Sequence, residues 1–221
     1  MNKMLVAQKI VACGLIPIVR FDRFEDVHLI VDALYAGGVY IVEFSIMSPA
    51  ALKAIEQTVD RYGDSIVLGA GTVLDTETAR SCFLAGAQFL VSPTVNESVI
   101  SMGNRYSKVV CPGALTPTEV LHAWISGGDF VKVFPCGNVG GPSYIRSLKA
   151  PYPHIAMIPV GGVTIDNAAD FIAAGSCALG ASGKLIDKSD TSASRFESIT
   201  QRAARFLSVI RNARNDNSEN K

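Results

Sequence analysis

Short apolar runs alternate along the chain with longer segments in which apolar residues recur every three or four positions. The short runs are rich in β-branched residues and predict buried strands, whereas the longer segments predict amphipathic helices. One junction recurs: a helix end that contains glycine is followed at once by an apolar strand. The four junctions cover residues 33–44, 82–93, 124–135 and 171–182.

The glycines of these junctions recur at a nearly regular interval along the chain. Gly37, Gly86, Gly127 and Gly175 lie 49, 41 and 48 residues apart. Each occupies a helix C-cap, where a positive φ is expected. Such a gap holds two β-α units of roughly 20 to 25 residues each. Further strand patterns lie at residues 15–19, 66–68, 109–111 and 156–160, so the spacing predicts eight strands.

Helical patterns separate the predicted strands. They cover residues 26–36, 49–62, 76–85, 97–105, 117–126, 142–148, 167–174 and 194–211. Strict alternation of helices with strands that are apolar on both faces predicts a parallel sheet covered by helices. Eight units in about 200 residues fit a closed (β/α)8 TIM barrel, which a short N-terminal helix precedes. A doubly wound open sheet is the alternative, but PIVR (17–20) stands where its glycine-rich nucleotide fingerprint would follow the first strand.

Composition supports one folded unit. Because 48% of the residues are hydrophobic, the chain has material for a sizeable core, and no linker divides it. We predict a single domain over residues 1–211 and a polar, disordered tail over residues 212–221. The 20 basic and 20 acidic side chains give zero formal net charge. This balance disfavours nucleic acid and membrane surfaces as partners and favours small molecules.

The N-terminus and the cysteines bear on the compartment. The apolar runs are far shorter than the roughly 20 residues that span a bilayer, and the N-terminus lacks the long apolar stretch of a signal peptide. The five cysteines are scattered without a C-x-x-C pair, so neither a disulfide framework nor a zinc knuckle is predicted. We therefore expect a cytoplasmic protein.

Polar residues at the predicted strand ends are the candidates for chemistry, because a barrel of this kind has its active site there. Lys132 lies within the run FVKVF (130–134). Apolar neighbours disfavour the charged ammonium form, and a neutral amine can attack a ketone to form a Schiff base. Glu43 ends the second strand and is a candidate general acid or base. A lysine that reaches solvent, or a structural pairing with a carboxylate, remains an alternative for both positions.

Glycines follow the last two predicted strands, at Gly161-Gly162 and around Ser182. Barrel enzymes often bind phosphate at these two loops, although tight turns also require glycine. The segment GASGK (180–184) is not a nucleotide-binding P-loop, because Leu185 stands where serine or threonine is required. The three histidines fall in predicted helices or a loop, so a histidine-rich zinc site is not expected.

Eight motifs in a fixed order carry a resemblance to a known family. They are PIVR (17–20), AGGVYIVEFS (36–45), GAGTV (69–73), GAQFLVSP (86–93), PGALTPTE (112–119), VKVFP (131–135), GGPSYIRSLKAPYP (140–153) and PVGGVTIDN (159–167). The sequence resembles the bacterial aldolases that cleave 2-keto-3-deoxy-6-phosphogluconate (KDPG), with 4-hydroxy-2-oxoglutarate (KHG) and 6-phosphogalactonate relatives. The resemblance runs from Ile10 to Leu207.

The resemblance implies a class I aldolase that works without a metal or organic cofactor, releases pyruvate and forms a homotrimer. Lys132 matches the Schiff-base lysine, and Glu43 matches the carboxylate that moves protons. The remaining matches are Arg20, Thr72, Pro93 and Phe134 around the 2-keto acid end of the substrate, and Gly161, Gly162, Ser182 and Gly183 at its phosphate. The implied reaction is cleavage of KDPG, or a close 2-keto-3-deoxy-6-phospho sugar acid, to pyruvate and glyceraldehyde 3-phosphate.

Two departures from the family pattern keep alternatives open. Met47 stands where many members carry an arginine that binds the pyruvyl carboxylate. Ala181 replaces the usual glycine before Ser182, and Lys184 follows Gly183. A KHG aldolase, a catalytically silent barrel that binds a phosphorylated metabolite, and a phosphosugar isomerase or epimerase are therefore the alternative hypotheses.

Overall fold

The computed structural model describes residues 1–186 and 195–219. Its strands are β1 (Leu15–Val19), β2 (Ile41–Ser45), β3 (Val67–Gly71), β4 (Phe89–Val91), β5 (Val109–Cys111), β6 (Gly113–Ala114), β7 (Val131–Val133), β8 (Met157–Pro159) and β9 (Leu179–Ala181). Its helices are α1 (Lys3–Cys13), α2 (Asp26–Ala36), α3 (Ala51–Tyr62), α4 (Thr76–Leu84), α5 (Glu97–Arg105), α6 (Pro117–Ile125), α7 (Pro142–Lys149), α8 (Ala168–Ala173) and α9 (Arg195–Glu219).

All strand pairs are parallel, in the orders β5-β4-β3-β2-β1-β9 and β6-β7-β8. Proline lacks the N–H that a ladder needs, and Pro112 separates β5 from β6, so these two share one strand position. The Pro112 carbonyl accepts a hydrogen bond of 2.9 Å from the Lys132 backbone N–H. A parallel bridge between Val160 and Gly180 joins β8 to β9. The predicted (β/α)8 barrel is thereby confirmed.

The helix α1 covers the N-terminal end of the barrel, as predicted. Lys3 forms an ion pair of 2.9 Å with Asp129, which precedes β7. Lys9 donates a 3.2 Å hydrogen bond to the carbonyl of Asp64, which precedes β3. The opposite, C-terminal end of the barrel is therefore the end open to ligands. In the part of the chain that the structure describes, no helix is long and apolar enough to cross a membrane.

Inside the barrel, β3 makes room for larger side chains on its neighbours. A Cβ atom added at Gly69 would lie 2.3 Å from the ring of Phe89, and one at Gly71 would lie 1.8 Å from Oε1 of Glu43. Glycine weakens a strand through its backbone entropy, so its presence in a central strand indicates a close approach by another group. The site carboxylate therefore depends on Gly71.

Three of the four junction glycines have the predicted positive φ: Gly86, Gly127 and Gly175. Gly37 does not, because its φ is −76° and the positive φ falls on Gly38. Gly37 instead allows α2 to approach α9, since an added Cβ would lie 2.7 Å from the Cβ of Ala203. Gly37 is the C-cap of α2, as predicted, but the predicted positive φ was wrong. Glycine is required here by packing against a distant helix.

The predicted disordered tail is also corrected by the structure. The last helix, α9, continues through the predicted end at residue 211 to Glu219, and residues 220–221 lie outside the described residues. Ala213 is buried. Arg214 donates hydrogen bonds to the carbonyls of Val11, Ala12 and Cys177 at 2.8 to 3.1 Å. These long-range contacts stabilise a polar segment that has no apolar pattern of its own.

We expect Arg214→Ala to lower the free energy of unfolding by about 1–2 kcal/mol, because hydrogen bonds from a charged donor to three carbonyls are lost. Arg211→Ala is the matched control, since it removes the same side chain from an exposed position on the same helix. Urea denaturation of both variants measures the difference. Equal stabilities would show that Arg214 does not anchor the end of α9.

Candidate active site

Lys132 lies on the central residue of β7 and points into the barrel, where it is 6% exposed. Its Nζ atom lies 4.9 Å from the centre of the Phe134 ring. Within residues 1–186 and 195–219 no acceptor forms a hydrogen bond with Nζ, and no carboxylate lies within 4.0 Å of it. A buried amine without a hydrogen-bond or ion-pair partner among the described residues has its lone pair available to a ligand once it is deprotonated.

Glu43 occupies the facing position on β2 and is 3% exposed. Burial raises the pKa of its carboxyl group, while the positive charges of Lys132 and Arg20 act in the opposite direction and lower it. The net shift is upward because desolvation outweighs both charges. A carboxyl group with a raised pKa holds a proton more readily than an ordinary glutamate and is a stronger base once ionised.

The two groups interact electrostatically without forming an ion pair. The charge of Lys132 acts on the pKa of Glu43, yet no salt bridge of 4.0 Å or less joins them among the described residues. A direct pair would occupy the amine and hold the carboxylate in its charged form. Their separation leaves each group able to act on a ligand placed between them.

Thr72 follows β3 at the barrel mouth with a φ of +64°. A β-branched residue rarely adopts this left-handed conformation, and such strain persists where the surrounding structure enforces it. Its Oγ1 atom lies 3.4 Å from Oγ of Ser45, which is buried two residues beyond Glu43 on β2. The two hydroxyls therefore stand beside the carboxylate at the ends of adjacent strands.

One cavity of about 350 Å³ is lined by two of the predicted residues, Pro93 and Phe134, but not by Lys132 or Glu43. The Phe134 ring is the link between this cavity and the amine of Lys132. The cavity continues outward to Glu119 and His122 on α6. Glu119 accepts 2.8 Å hydrogen bonds from the backbone N–H groups of Leu115 and Thr116, so its carboxylate is engaged at the start of α6. Apolar residues, among them Val95, Ala114 and Leu115, make up most of the remaining lining, which suits a small carbon skeleton.

A second cavity, of about 330 Å³, lies at the ends of β8 and β9. It brings together the four residues predicted to bind phosphate. Their neighbours in the lining are Val163, Thr164, Gly180 and Lys184. Both Gly161 and Gly162 have positive φ, at 85° and 80°. The Asn167 side chain holds this turn, because it donates to the Gly162 carbonyl and accepts from the Thr164 N–H, both at 2.8 Å.

Arg20, a predicted site residue, and Met47, the departure from the family pattern, are both exposed. Arg20 lies at the end of β1 in a small cavity of about 130 Å³ that it shares with Arg195, and its charge reaches Glu43. Met47 is 71% exposed. The structure thus places Arg20, as a second cation besides Lys132, within electrostatic reach of the buried carboxyl group.

Sequence reasoning missed three structural supports of the site: Gly71, Asn167 and the Ser45–Thr72 contact. The motif GAGTV (69–73) contained a signal, since two glycines in a central strand indicate close approach. The role of Asn167 was missed because its partners are backbone groups of Gly162 and Thr164, and backbone groups leave no mark in the sequence. Among the described residues no three histidine, cysteine, aspartate or glutamate side chains are grouped as metal ligands.

Comparison with known proteins supplies the family. A family model described as "KDPG and KHG aldolase" matches residues 6–202. The 2-dehydro-3-deoxy-6-phosphogalactonate aldolase of Escherichia coli (strain K12) is 38% identical over 184 residues, which are 83% of this chain and 87% of that protein.

Two solved structures are similar over nearly the whole chain. A native KDPGal structure is 36% identical with a TM-score of 0.84 and covers 91% of this chain and 96% of that one. A protein cage designed by fusing symmetric oligomeric domains is 34% identical with a TM-score of 0.86, covering 94% of this chain and 75% of that one.

The raised pKa of Glu43 makes stability depend on pH. The folded state binds this proton more tightly than the unfolded state, so stability falls as pH rises from the ordinary glutamate pKa of 4.5 through the higher folded-state pKa. We expect Glu43→Gln to be more stable than the wild type at pH 8, with an increase in melting temperature of roughly 3 °C for each kcal/mol recovered. The gain should shrink as the pH approaches 4.5.

The control for this measurement is Glu56→Gln, which makes the same change at an exposed position of α3. Thermal melts of the three proteins between pH 5 and 8 test the prediction. A loss of stability in Glu43→Gln at pH 8 would show that the carboxylate stabilises the fold and that its burial does not oppose ionisation.

Proposed function

Because this chain belongs to the KDPG and KHG aldolase family, as the match over residues 6–202 establishes, we propose that it is a class I aldolase. It cleaves a 2-keto-3-deoxy-6-phospho sugar acid to pyruvate and glyceraldehyde 3-phosphate. The observation that carries this proposal is the amine of Lys132, which is buried without a hydrogen-bond acceptor in the part of the chain that the structure describes and interacts with the buried carboxyl group of Glu43.

The first half of the reaction uses Lys132 as the nucleophile. Its neutral amine attacks the C2 ketone, and the resulting carbinolamine takes up a proton from water and loses water to give a protonated imine. The hydrolysis that ends the cycle returns this proton to water. Glu43, directly or through a water molecule, removes the proton of the C4 hydroxyl. The C3–C4 bond then breaks, its electron pair moves into the imine, and glyceraldehyde 3-phosphate leaves. The product that stays on Lys132 is an enamine.

The second half returns the enzyme to its starting state. Glu43 holds the proton taken from the C4 hydroxyl and delivers it to C3 of the enamine. Water then hydrolyses the imine, which releases pyruvate and the free amine of Lys132. The raised pKa of Glu43 supports this double role, because the group must hold a proton between two steps.

The surrounding residues would hold the two ends of the substrate. Thr72, Pro93 and Phe134 border the space beside Lys132 and would contact the pyruvate portion, with Arg20 as the partner of the carboxylate. Gly161, Gly162, Ser182 and Gly183 line the second cavity and would take the phosphate. The strained Thr72 supports an assignment to substrate positioning, since strain of this kind clusters at functional sites.

The C4 epimer, 2-keto-3-deoxy-6-phosphogalactonate, is a second candidate substrate. The 38% identical E. coli protein is named as a phosphogalactonate aldolase, and the native KDPGal structure is 36% identical to this chain. The two acids differ only in the configuration at the carbon whose hydroxyl Glu43 deprotonates. We further propose a homotrimer, supported by the similarity to a domain used for its symmetric oligomerisation; the molar mass in solution tests this.

We expect borohydride reduction in the presence of pyruvate to attach a three-carbon adduct to Lys132, which mass spectrometry of the intact chain and its peptides would locate. Lys149 is an internal control, because its partly buried amine is engaged by the carbonyls of Pro153 and Ile155 at 2.8 and 2.9 Å. Lys132→Ala should lose both the adduct and turnover while keeping its fold. A folded wild-type protein without an adduct would favour the catalytically silent barrel.

Parallel rate measurements on KDPG, its C4 epimer and unphosphorylated 4-hydroxy-2-oxoglutarate identify the substrate. We expect kcat/KM to be higher for the phosphorylated acids by at least about tenfold, since each 1.4 kcal/mol of additional binding contributes a factor of ten. Pyruvate release without prior isomerisation of the substrate would exclude the isomerase hypothesis. Equal kcat/KM for all three would instead support a KHG aldolase.

A further inference from the structure

The cavity at the ends of β8 and β9 has an unusual charge composition. Of the eight described residues that line it, Lys184 alone is ionisable, and no carboxylate is among them. Its side chain is exposed, so the ammonium group is hydrated and can turn toward a ligand. The cavity therefore combines a neutral glycine-rich floor with one positive charge at its edge.

The floor of the cavity is open backbone. A Cβ atom added at Gly183 would meet nothing within 4 Å, whereas one at Gly162 would lie 2.9 Å from the Cα of Gly137. Both glycines are exposed, so a ligand can approach the main chain closely. Consecutive glycines with positive φ form concave turns that suit anions, but peptide groups supply only partial charges.

A phosphate monoester carries about −1.5 to −2 charges at pH 7. Neutral N–H groups and the Ser182 hydroxyl can hydrogen-bond its oxygens without neutralising them. We propose that Lys184 binds the substrate phosphate and sets the preference of the enzyme for phosphorylated over unphosphorylated acids. This inference rests on the proposed function and adds a specificity residue to it.

The position of the cavity relative to Lys132 fits the length of such a substrate. Lys132 lies on β7, Gly161 follows β8 and Ser182 follows β9, so the cavity is one to two strand positions away, or roughly 5–10 Å. A six-carbon acid with C2 at the Lys132 amine extends its C6 over this distance. The phosphate oxygens would then lie within reach of the flexible Lys184 side chain.

Three variants test the assignment: Lys184→Gln removes the charge, Lys184→Arg keeps it, and Lys9→Gln removes a lysine charge at the opposite end of the barrel. For each protein we would measure pyruvate trapping by borohydride, KM for the phosphorylated substrate, and the inhibition constant of inorganic phosphate. Pyruvate has no phosphate, so trapping reports the Lys132 chemistry alone.

We expect Lys184→Gln to trap pyruvate like the wild type but to raise KM and the phosphate inhibition constant by about tenfold, the loss of one charge-assisted hydrogen bond. Lys184→Arg should restore both values and Lys9→Gln should leave them unchanged. The differences in KM and in the phosphate inhibition constant between Lys184→Gln and the wild type should become smaller at 1 M salt, where the screening length falls to about 3 Å.

The outcomes separate the two proposals. If the wild type traps no pyruvate, the aldolase assignment fails and the role of Lys184 falls with it. If all four proteins trap pyruvate and Lys184→Gln keeps the wild-type KM and phosphate inhibition constant, the aldolase assignment stands and the role of Lys184 is wrong. A tenfold effect that Lys184→Arg does not restore would also overturn the charge-based explanation.

Discussion

The burial of an amine and a carboxyl group inside an apolar barrel, close enough to interact but not paired, is the constraint on which the site depends. An ionised group removed from water loses free energy unless a partner compensates it. Here Lys132 has the face of Phe134 as its neighbour, and Glu43 responds by a raised pKa. The fold thus keeps both groups out of water and unpaired with each other. In water, solvation would return the Glu43 carboxyl group to its ordinary pKa.

Room for this arrangement comes from residues with little or no side chain. Gly71 leaves the space that the Glu43 carboxylate occupies, so the glycine-rich third strand and the buried carboxyl group pack as one unit. Such a strand has less to contribute to the core, and a buried carboxylate opposes folding as pH rises. Both effects lower the stability of the fold in favour of the geometry of the site, which is a common relation between activity and stability.

The barrel mouth divides into two environments with different physical demands. Beside Lys132 lies the apolar ring of Phe134, and the proposed imine would form where such a neighbour limits the access of water. At β8 and β9 the walls are backbone and hydroxyl, with Lys184 as the ionisable residue. Asn167 holds the glycine turn through two hydrogen bonds, so the anion-binding end is shaped by the chain and leaves few side chains in the way. In the proposed reaction, one end of the site would hold the reacting carbons and the other would bind the phosphate.

The sequence by itself determined the succession of elements, because apolar periodicity and glycine junctions are local: α2 and α5 begin and end at the predicted residues. It also determined the family, because long motifs such as PVGGVTIDN (159–167) retain their order. Only the tertiary structure decided why Gly37 is glycine, how Arg214 holds the end of α9, and that Glu43 and Lys132 interact without pairing. Each of these depends on groups that are far apart along the chain, and their distances are fixed by closure of the barrel, which no local pattern encodes.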